Sequence, residues 1–245
     1  MRPLPGQPRF SVGVAAATWG LTLLVGYAVT LAVFSATGQA STPSALLPAW
    51  ATVVSVTALW IPEVLGLRAV STRYGTGSMR DDYGLKFRAS DLMGIPIGVL
   101  SQLVLLELVY WPLRSAFPGT FGKRLVEEPA RNLFDRADGT WLVALIAVVC
   151  VGAPVVEELM YRGLILRSIE GRITEPLAVL ASALWFAFAH LQPVQLPGLF
   201  VFGLVLALCA RRTGRLGLGI FAHAAFNATT VVMLLWHGVQ GTLQR

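Results

Sequence analysis

Long apolar runs dominate this chain, where a soluble domain would show short alternations of polar and apolar residues. The runs cover residues 11–38, about 44–67, about 92–113, about 140–158, 176–210 and about 216–236, and none holds more than a few charged residues. A helix of about 20 such residues crosses the hydrocarbon core of a bilayer. Residues 176–210 are too long for one crossing and contain Gln192-Pro193 and Pro197, which predict two short helices. The pattern therefore predicts seven crossings, to within one.

The longest polar connections divide the chain into an N-terminal three-helix part and a C-terminal four-helix part. Residues 68–91 are rich in glycine and arginine and predict a cytoplasmic loop. In residues 114–139, Pro129 is placed to open a short helix with Ala130, Leu133 and Phe134 on one face. Such a helix is typical of one lying in the membrane interface. The expected fold is an all-α polytopic transmembrane helical bundle of about seven membrane helices plus this short interfacial helix.

Composition agrees with a membrane protein. The 245 residues are 55% hydrophobic and 13% charged, whereas a soluble domain carries about 25% charged residues. With a cytoplasmic N-terminus, 13 of the 19 lysines and arginines lie on the cytoplasmic side: Arg2, Arg9, Arg68, Arg73, Arg80, Lys86, Arg88, Arg162, Arg167, Arg172, Arg211, Arg212 and Arg215. This distribution follows the positive-inside rule. The net charge of +6 therefore predicts no nucleic-acid partner but a multi-pass protein of the cell membrane, with the bilayer as its partner.

Two adjacent carboxylates, Glu157 and Glu158, stand at the end of the fourth apolar run. Ionisable groups inside membrane segments are rare and are functional candidates by default. Glu158 and Arg162 are four residues apart on a helix and share a face, so the arginine can neutralise this glutamate. Glu157 is turned about 100° away and shares its face with Tyr161. The spacing allows different roles for the two carboxylates, although a Glu–Arg pair is also a common structural device.

Two further pairs, each containing a histidine, repeat the four-residue spacing: Phe186 with His190 and His223 with Asn227. Counted at 1.5 Å per residue from Arg167, Pro176 and Arg215 respectively, Glu157, His190 and His223 lie about 15, 21 and 12 Å deep. These depths allow all three to meet in one cavity. Each piece alone also has a structural interpretation, since membrane histidines and asparagines commonly bond neighbouring helices.

A carboxylate, two imidazoles and a carboxamide around water have a recognisable chemical use. A glutamate can take a proton from water as general base while a histidine polarises that water. A second histidine and an asparagine can donate hydrogen bonds to the developing oxyanion. No serine or cysteine is positioned as a preferred covalent nucleophile, and Cys150 and Cys209 are expected to be small buried hydrophobes. This chemistry requires no cofactor, but two histidines and a glutamate could also bind a divalent metal.

Three short motifs resemble those of a known family. EELMYR, FAFAH and HAAFN are similar to the motifs EExxxR, FxxxH and HxxxN/B of the CPBP (Abi) intramembrane proteases. That family includes CAAX prenyl endopeptidases and bacteriocin-processing or immunity proteins. The motifs occur in the family's order within residues 140–236, the expected catalytic helices of a single integral membrane domain spanning residues 1–245.

The resemblance implies hydrolysis of a peptide bond within the membrane, near the cytoplasmic face. It implies that Glu157 and His190 activate water and that His223 and Asn227 form the oxyanion site. The resemblance also implies that Glu158 and Arg162 orient the first motif and that Phe186 packs beside it. A membrane-associated or lipidated peptide is the expected substrate.

Two other functions fit the same composition. One is a non-catalytic membrane immunity or scaffold protein that binds a peptide or a membrane partner. The other is a transporter that uses the polar cavity as a proton or ion site, although no inverted repeat is visible. The remaining membrane glutamates, Glu63 and Glu107, have no histidine or basic partner at helical spacing and are expected to be structural. Glu127 and Glu128 are expected to form a solvated helix start.

Overall fold

The helical architecture is seen in a computed structural model that describes residues 10–43 and 46–243, with side chains up to residue 236. The main helices are α1 (Val12–Ala36), α2 (Ala49–Tyr74), α3 (Ala89–Ala116), α4 (Lys123–Phe134), α5 (Gly139–Ile169), α6 (Glu175–Ala189), α7 (Leu196–Thr213) and α8 (Gly217–Leu243). Short helical turns lie at Met79–Asp82 and Pro118–Phe121. The described residues form no strand, so the all-α prediction is confirmed.

Six of these helices, α1, α2, α3, α5, α7 and α8, are long and apolar enough to cross a membrane. Helix α6 is apolar but has 15 residues, about 22 Å at 1.5 Å per residue, which is shorter than the hydrocarbon core of about 30 Å. The chain is therefore a multi-pass membrane protein, and α6 is the short seventh helix of the prediction. The predicted break at Gln192-Pro193 falls between α6 and α7. Arg2 and Arg9, which entered the orientation argument, lie outside the described residues.

The short helix predicted around Pro129 exists but begins earlier than expected. Helix α4 starts at Lys123, so Pro129 lies inside it and does not open it. A proline inside a helix removes one backbone hydrogen bond and crowds the carbonyl of residue i−4. Glu127 pairs with Lys123 and Arg131 along the helix, which offsets only a small part of that cost. The expected face is also found, because Ala130, Leu133 and Phe134 pack against Leu145, Val231 and Leu234. Glu127 and Glu128 are consequently in the middle of a helix, and the predicted solvated helix start is wrong.

Helix α3 packs against α8 by a very close backbone approach. Gly94 and Gly98 face α8, and a Cβ added at Gly98 would overlap the carbonyl oxygen of Ala222. Small residues four apart allow this approach between membrane helices. Because Ala222 precedes His223, this contact helps to determine where the histidine of α8 lies.

Helix α5 is irregular in two places. Segments Val148–Gly152 and Glu158–Leu166 have π-helical hydrogen bonding. The residues from Glu158 to Leu166 are all buried, and they form the centre of the largest core cluster. Short π segments inside α-helices occur frequently at functional sites. Glu157 lies between the two irregular segments, and Glu158 begins the second.

Candidate active site

The first motif contains a fully buried ion pair. Arg162 Nη1 donates to Glu158 Oε1 at 2.9 Å, and both side chains have no exposed surface. Arg162 Nη2 donates to the carbonyl oxygen of Gly203 on α7 at 3.0 Å. The guanidinium carbon lies 4.4 Å from the ring centroid of Phe186 on α6. Arg162 thus joins three helices, and its charge belongs to the interior, not to a cytoplasmic loop.

Glu157 points away from that pair, towards two histidines. Its Oε2 lies 3.9 Å from His190 Nε2 and 3.8 Å from His223 Nε2. This oxygen is buried and has no hydrogen-bond partner among the described residues. Because buried polar atoms are almost always hydrogen-bonded, an oxygen aimed at two ring nitrogens without such a bond is a candidate for chemistry.

The orientation of His190 follows from its place at the end of α6. Its Nδ1 lies 2.7 Å from the carbonyl oxygen of Phe186. A carbonyl only accepts hydrogen bonds, so Nδ1 carries a proton here. In the neutral ring, Nε2 then presents a lone pair towards Glu157. The chain turns at the next residue, Leu191, whose φ of 52° is the one positive non-glycine value in the described residues.

The turn between α6 and α7 is braced from two sides. The Tyr110 hydroxyl of α3 donates to the carbonyl oxygen of Val194 at 3.0 Å. The Gln195 side chain donates to the carbonyl oxygen of Val126 in α4 at 3.0 Å. Irregular backbone within a membrane protein requires such internal partners. The bracing keeps the end of α6, and therefore His190, in place.

His223 lies between the two glutamates. Its Nε2 faces Glu157, and its Nδ1 lies 3.4 Å from Glu158 Oε1. The ring is 4% exposed and packs edge-on against Phe186 and Phe202, with centroid separations of 6.0 and 5.6 Å. Glu158 therefore contacts both Arg162 and the second histidine.

Asn227 lies one turn further along α8 and has a different partner. Its Nδ2 donates to the carbonyl oxygen of Val149 in α5 at 2.8 Å. A carboxamide has two N–H donors, so this bond leaves one for another acceptor. The structure thus brings Glu157, His190 and His223 together and leaves Asn227 at the edge of the group. Glu158, Arg162 and Phe186 lie immediately behind it.

One acidic residue near the site was missed by the sequence analysis. Glu63 of α2 is 8% exposed and close enough to Glu157 and Tyr161 for electrostatic interaction. Trp19 of α1 donates from Nε1 to the Tyr161 hydroxyl at 3.3 Å. The available signal was a single carboxylate in an otherwise uncharged run, but its neighbours come from other helices.

The expectation that Glu107 lacks a basic partner at helical spacing is wrong. Arg114 follows it by seven residues in α3 and forms an ion pair with it. Seven residues are close to two helical turns, which places both side chains on one face. The pair is partly exposed and far from the motifs in sequence, so the structural interpretation of Glu107 stands.

An apolar cavity of about 450 Å³ lies between α1 and α6. Its lining consists of Trp19, Leu23, Ala181, Leu184, Trp185, Phe188, Ala189 and Leu191. Ala189 and Leu191 are the neighbours of His190 in sequence, and the His190 side chain itself is not part of the lining. A hydrocarbon group fits such a lining better than a polar one.

The described residues contain no group of three or more histidine, cysteine or acidic side chains that could hold a metal ion. The donor types at the site, two imidazoles and a carboxylate, are those of zinc sites. Their arrangement here, however, does not form a coordination shell.

Comparison with known protein families gives a match for the motif-bearing helices. Residues 139–229 match the family model described as type II CAAX prenyl endopeptidase Rce1-like. The matched segment holds all three motifs and is consistent with the CPBP family, so the resemblance is confirmed over this segment. No curated protein and no solved structure gave a significant match. The match supports a membrane-embedded enzyme of the CAAX protease type.

Proposed function

We propose that this CAAX protease-type chain is an intramembrane endopeptidase that cleaves a membrane-associated or lipidated peptide with water activated by Glu157 and His190. One observation carries the proposal. The buried Oε2 of Glu157, which accepts no hydrogen bond, faces the Nε2 atoms of His190 and His223 at 3.9 and 3.8 Å. Buried polar atoms without a hydrogen-bond partner are few in native proteins, and each calls for an explanation such as a catalytic role or a bound water.

The proposed hydrolysis begins with one water molecule shared by Glu157 and His190. The Glu157 carboxylate takes one proton from water, and the His190 Nε2 lone pair accepts a hydrogen bond from the same molecule. The resulting hydroxide oxygen forms a bond to the peptide carbonyl carbon. When the C–N bond breaks, the proton on Glu157 passes to the amine nitrogen. The other product is a carboxylic acid, which becomes a carboxylate by losing its proton to the released amine.

The negative oxygen of the intermediate needs donors on the opposite side. His223 directs Nε2 into the site while Nδ1 faces Glu158. A ring that donates from both nitrogens is positively charged, which suits an oxyanion acceptor. Asn227 has a second amide hydrogen available beside its bond to Val149. Glu158, held by Arg162, fixes the orientation of His223.

The proposed substrate class follows from the surroundings of His190. The apolar cavity between α1 and α6 is lined in part by Ala189 and Leu191, the neighbours of His190 in sequence, and we expect a hydrocarbon chain or apolar segment to lie there while a peptide bond reaches Glu157. This is why a membrane-anchored peptide is preferred over a soluble one.

We also propose that the N-terminus is cytoplasmic. The arginines at 68, 73, 80, 88, 211, 212 and 215 lie in or beside the connections α2–α3 and α7–α8, which this orientation places on the cytoplasmic side. A cysteine introduced by Ser78→Cys, in a background with Cys150 and Cys209 replaced, should react with an impermeant thiol reagent only after the membrane is opened. Labelling of this cysteine in intact cells would show that the N-terminus lies on the opposite side of the membrane.

The function is tested by trapping and then by turnover. Purified Glu157→Gln should retain a peptide that mass spectrometry identifies, and the wild-type protein should cleave that peptide. Glu157→Gln and His190→Ala should lower the cleavage rate by about 10²- to 10⁴-fold while unfolding like the wild type. Glu128→Gln, on the exposed face of α4, is the matched control and should cleave normally.

Cleavage at the wild-type rate by Glu157→Gln would contradict the proposal. Partner binding or immunity that survives this substitution without any cleavage would support the non-catalytic scaffold instead.

A further inference from the structure

The carbonyl group of Val149 lacks the two donors that α-helical or π-helical bonding would give it within its own helix. In α-helical bonding it would accept from the N–H of Ala153, but that N–H donates to Val148. In the π-helical pattern of Val148–Gly152 it would accept from residue 154. Residue 154 is Pro154, which has no N–H. Because of the π segment and the proline that follows it, neither of these backbone N–H groups donates to the Val149 carbonyl oxygen.

Asn227 supplies the missing donor from another helix. Its Nδ2 lies 2.8 Å from the Val149 oxygen. Within the apolar part of a membrane protein, an unsatisfied peptide group is strongly unfavourable because neither water nor lipid replaces the bond. The side-chain amide of Asn227 thus donates the hydrogen bond that residue 154, a proline, cannot donate.

We propose that Asn227 is a positioning residue that satisfies the carbonyl bypassed at Pro154 and thereby fixes α8 against α5. This inference rests on the proposed function for its consequence in catalysis. Pro154 precedes Glu157 by three residues, and Asn227 follows His223 by four. Each end of the Val149–Asn227 bond is therefore within about two turns of a site residue, and the bond holds His223 at its distance from Glu157.

The test is a double-mutant cycle on purified protein in detergent. Pro154→Ala gives residue 154 an N–H that can reach Val149 within α5. The fall in melting temperature caused by Asn227→Ala should be smaller by roughly twofold or more in the Pro154→Ala background, because neighbouring groups with a shared partner are not additive. Equal falls in the two backgrounds would overturn the proposal.

A matched control comes from the same helix. The Thr229 hydroxyl donates to Ala225 within α8, so the effect of Thr229→Ala should not depend on residue 154. If Asn227→Ala does not fold in either background, Asn227→Gln becomes the second variant, because it keeps an amide donor. Retention of most of the wild-type melting temperature by Asn227→Gln supports the proposal, and failure of this variant to fold overturns it.

Two readouts separate positioning from general stability. The distance between spin labels on α5 and α8 should increase in Asn227→Ala and return towards the wild-type value in the double variant. The cleavage rate should recover only in part in the double variant, because the oxyanion donor of Asn227 stays absent, whereas a role of Asn227 only as an oxyanion donor would leave the rate equally low in both backgrounds. The melting-temperature and spin-label measurements need no substrate. The predictions for them can therefore be confirmed or contradicted independently of the Glu157→Gln test of the proposed function.

Discussion

Glu127–Glu128 in α4 and Glu157–Glu158 in α5 are the two adjacent glutamate pairs of this chain, and each contains a glutamate followed by arginine four residues later. In α4, Arg131 Nη2 lies 2.8 Å from Glu127 Oε2, with the two side chains 30% and 24% exposed. In α5, the corresponding atoms of Arg162 and Glu158 are 2.9 Å apart and fully buried. The local ion pair is nearly identical in the two helices.

The surroundings of the two pairs differ. The second glutamate of α4, Glu128, is exposed to solvent. In α5, the glutamate outside the ion pair, Glu157, faces His190 and His223 from two other helices. Helical spacing therefore produces the pair, and the helices packed opposite decide whether the remaining carboxylate is solvated or available for chemistry. A buried charge persists only where its desolvation is compensated.

The largest expected effect on stability comes from a substitution that breaks the buried Glu158–Arg162 pair. Arg162→Met leaves Glu158 and the Gly203 carbonyl without their donor, and we expect it to lower the free energy of unfolding by about 3–5 kcal/mol. Arg131→Met removes the same residue type at the same spacing in α4 and should cost about 0.3–0.5 kcal/mol. Reversible unfolding in mixed micelles measures both. Equal costs for the two variants would remove the distinction between the helices.

The double variant Arg162→Met/Glu158→Leu sharpens this test. Replacing both charges of a buried pair with apolar groups is often close to neutral, so most of the lost stability should return. Cleavage should not return, because His223 loses the carboxylate beside its Nδ1. Recovered cleavage would mean that Glu158 contributes only to folding.

A smaller effect is expected from moving α8 away from α5. Gly98→Ala places a Cβ against the carbonyl oxygen of Ala222, and overpacking of this kind costs about 1–3 kcal/mol. His223 follows Ala222, so the cleavage rate should also fall. Gly20→Ala in α1 is the matched control, since a Cβ there meets no atom within 4 Å. Unfolding and cleavage are measured on both variants, and an unchanged Gly98→Ala would show that α3 does not position α8.

The features that could be predicted from sequence are those that depend on local periodicity. The lengths of the apolar runs predicted the membrane helices, and the four-residue spacing predicted the Glu158–Arg162 pair. The same geometry predicted that Glu157 points elsewhere, and the structure agrees. Comparable depths in separate helices predicted that His190 and His223 could approach Glu157, and they do.

The features that could not be predicted depend on residues distant in sequence. Glu63 lies near Glu157 only because α2 packs against α5. The Val149 carbonyl becomes an acceptor for Asn227 through a π segment that no spacing rule indicates. The start of α4 was misplaced because a proline was treated as a boundary, although the helix begins at Lys123 and continues through Pro129.

A still smaller effect concerns the face of α5 that carries Glu157. Tyr161→Phe removes the hydroxyl that accepts from Trp19 Nε1, and the loss of one such hydrogen bond should cost about 1 kcal/mol. Tyr27→Phe, at an exposed position of α1, should be neutral. Unfolding measurements on Trp19→Phe and on the double variant check the coupling. Additive effects of Trp19→Phe and Tyr161→Phe would show that the two side chains do not act together.

The smallest expected effect is the salt dependence of the stability cost of Arg131→Met, which distinguishes the exposed ion pair of α4 from the buried pair of α5. Ions at about 1 M reduce the Debye length to about 3 Å, which screens exposed pairs but reaches buried ones much less. The cost of Arg131→Met, about 0.3–0.5 kcal/mol at low salt, should therefore disappear as sodium chloride is raised, while the cost of Arg162→Met persists. Unfolding titrations of both variants and the wild type at low and high salt provide the measurement. If the Arg162→Met cost fell in parallel, solvent ions would have access to the α5 pair, and burial could not explain why its neighbouring glutamate differs from the one in α4.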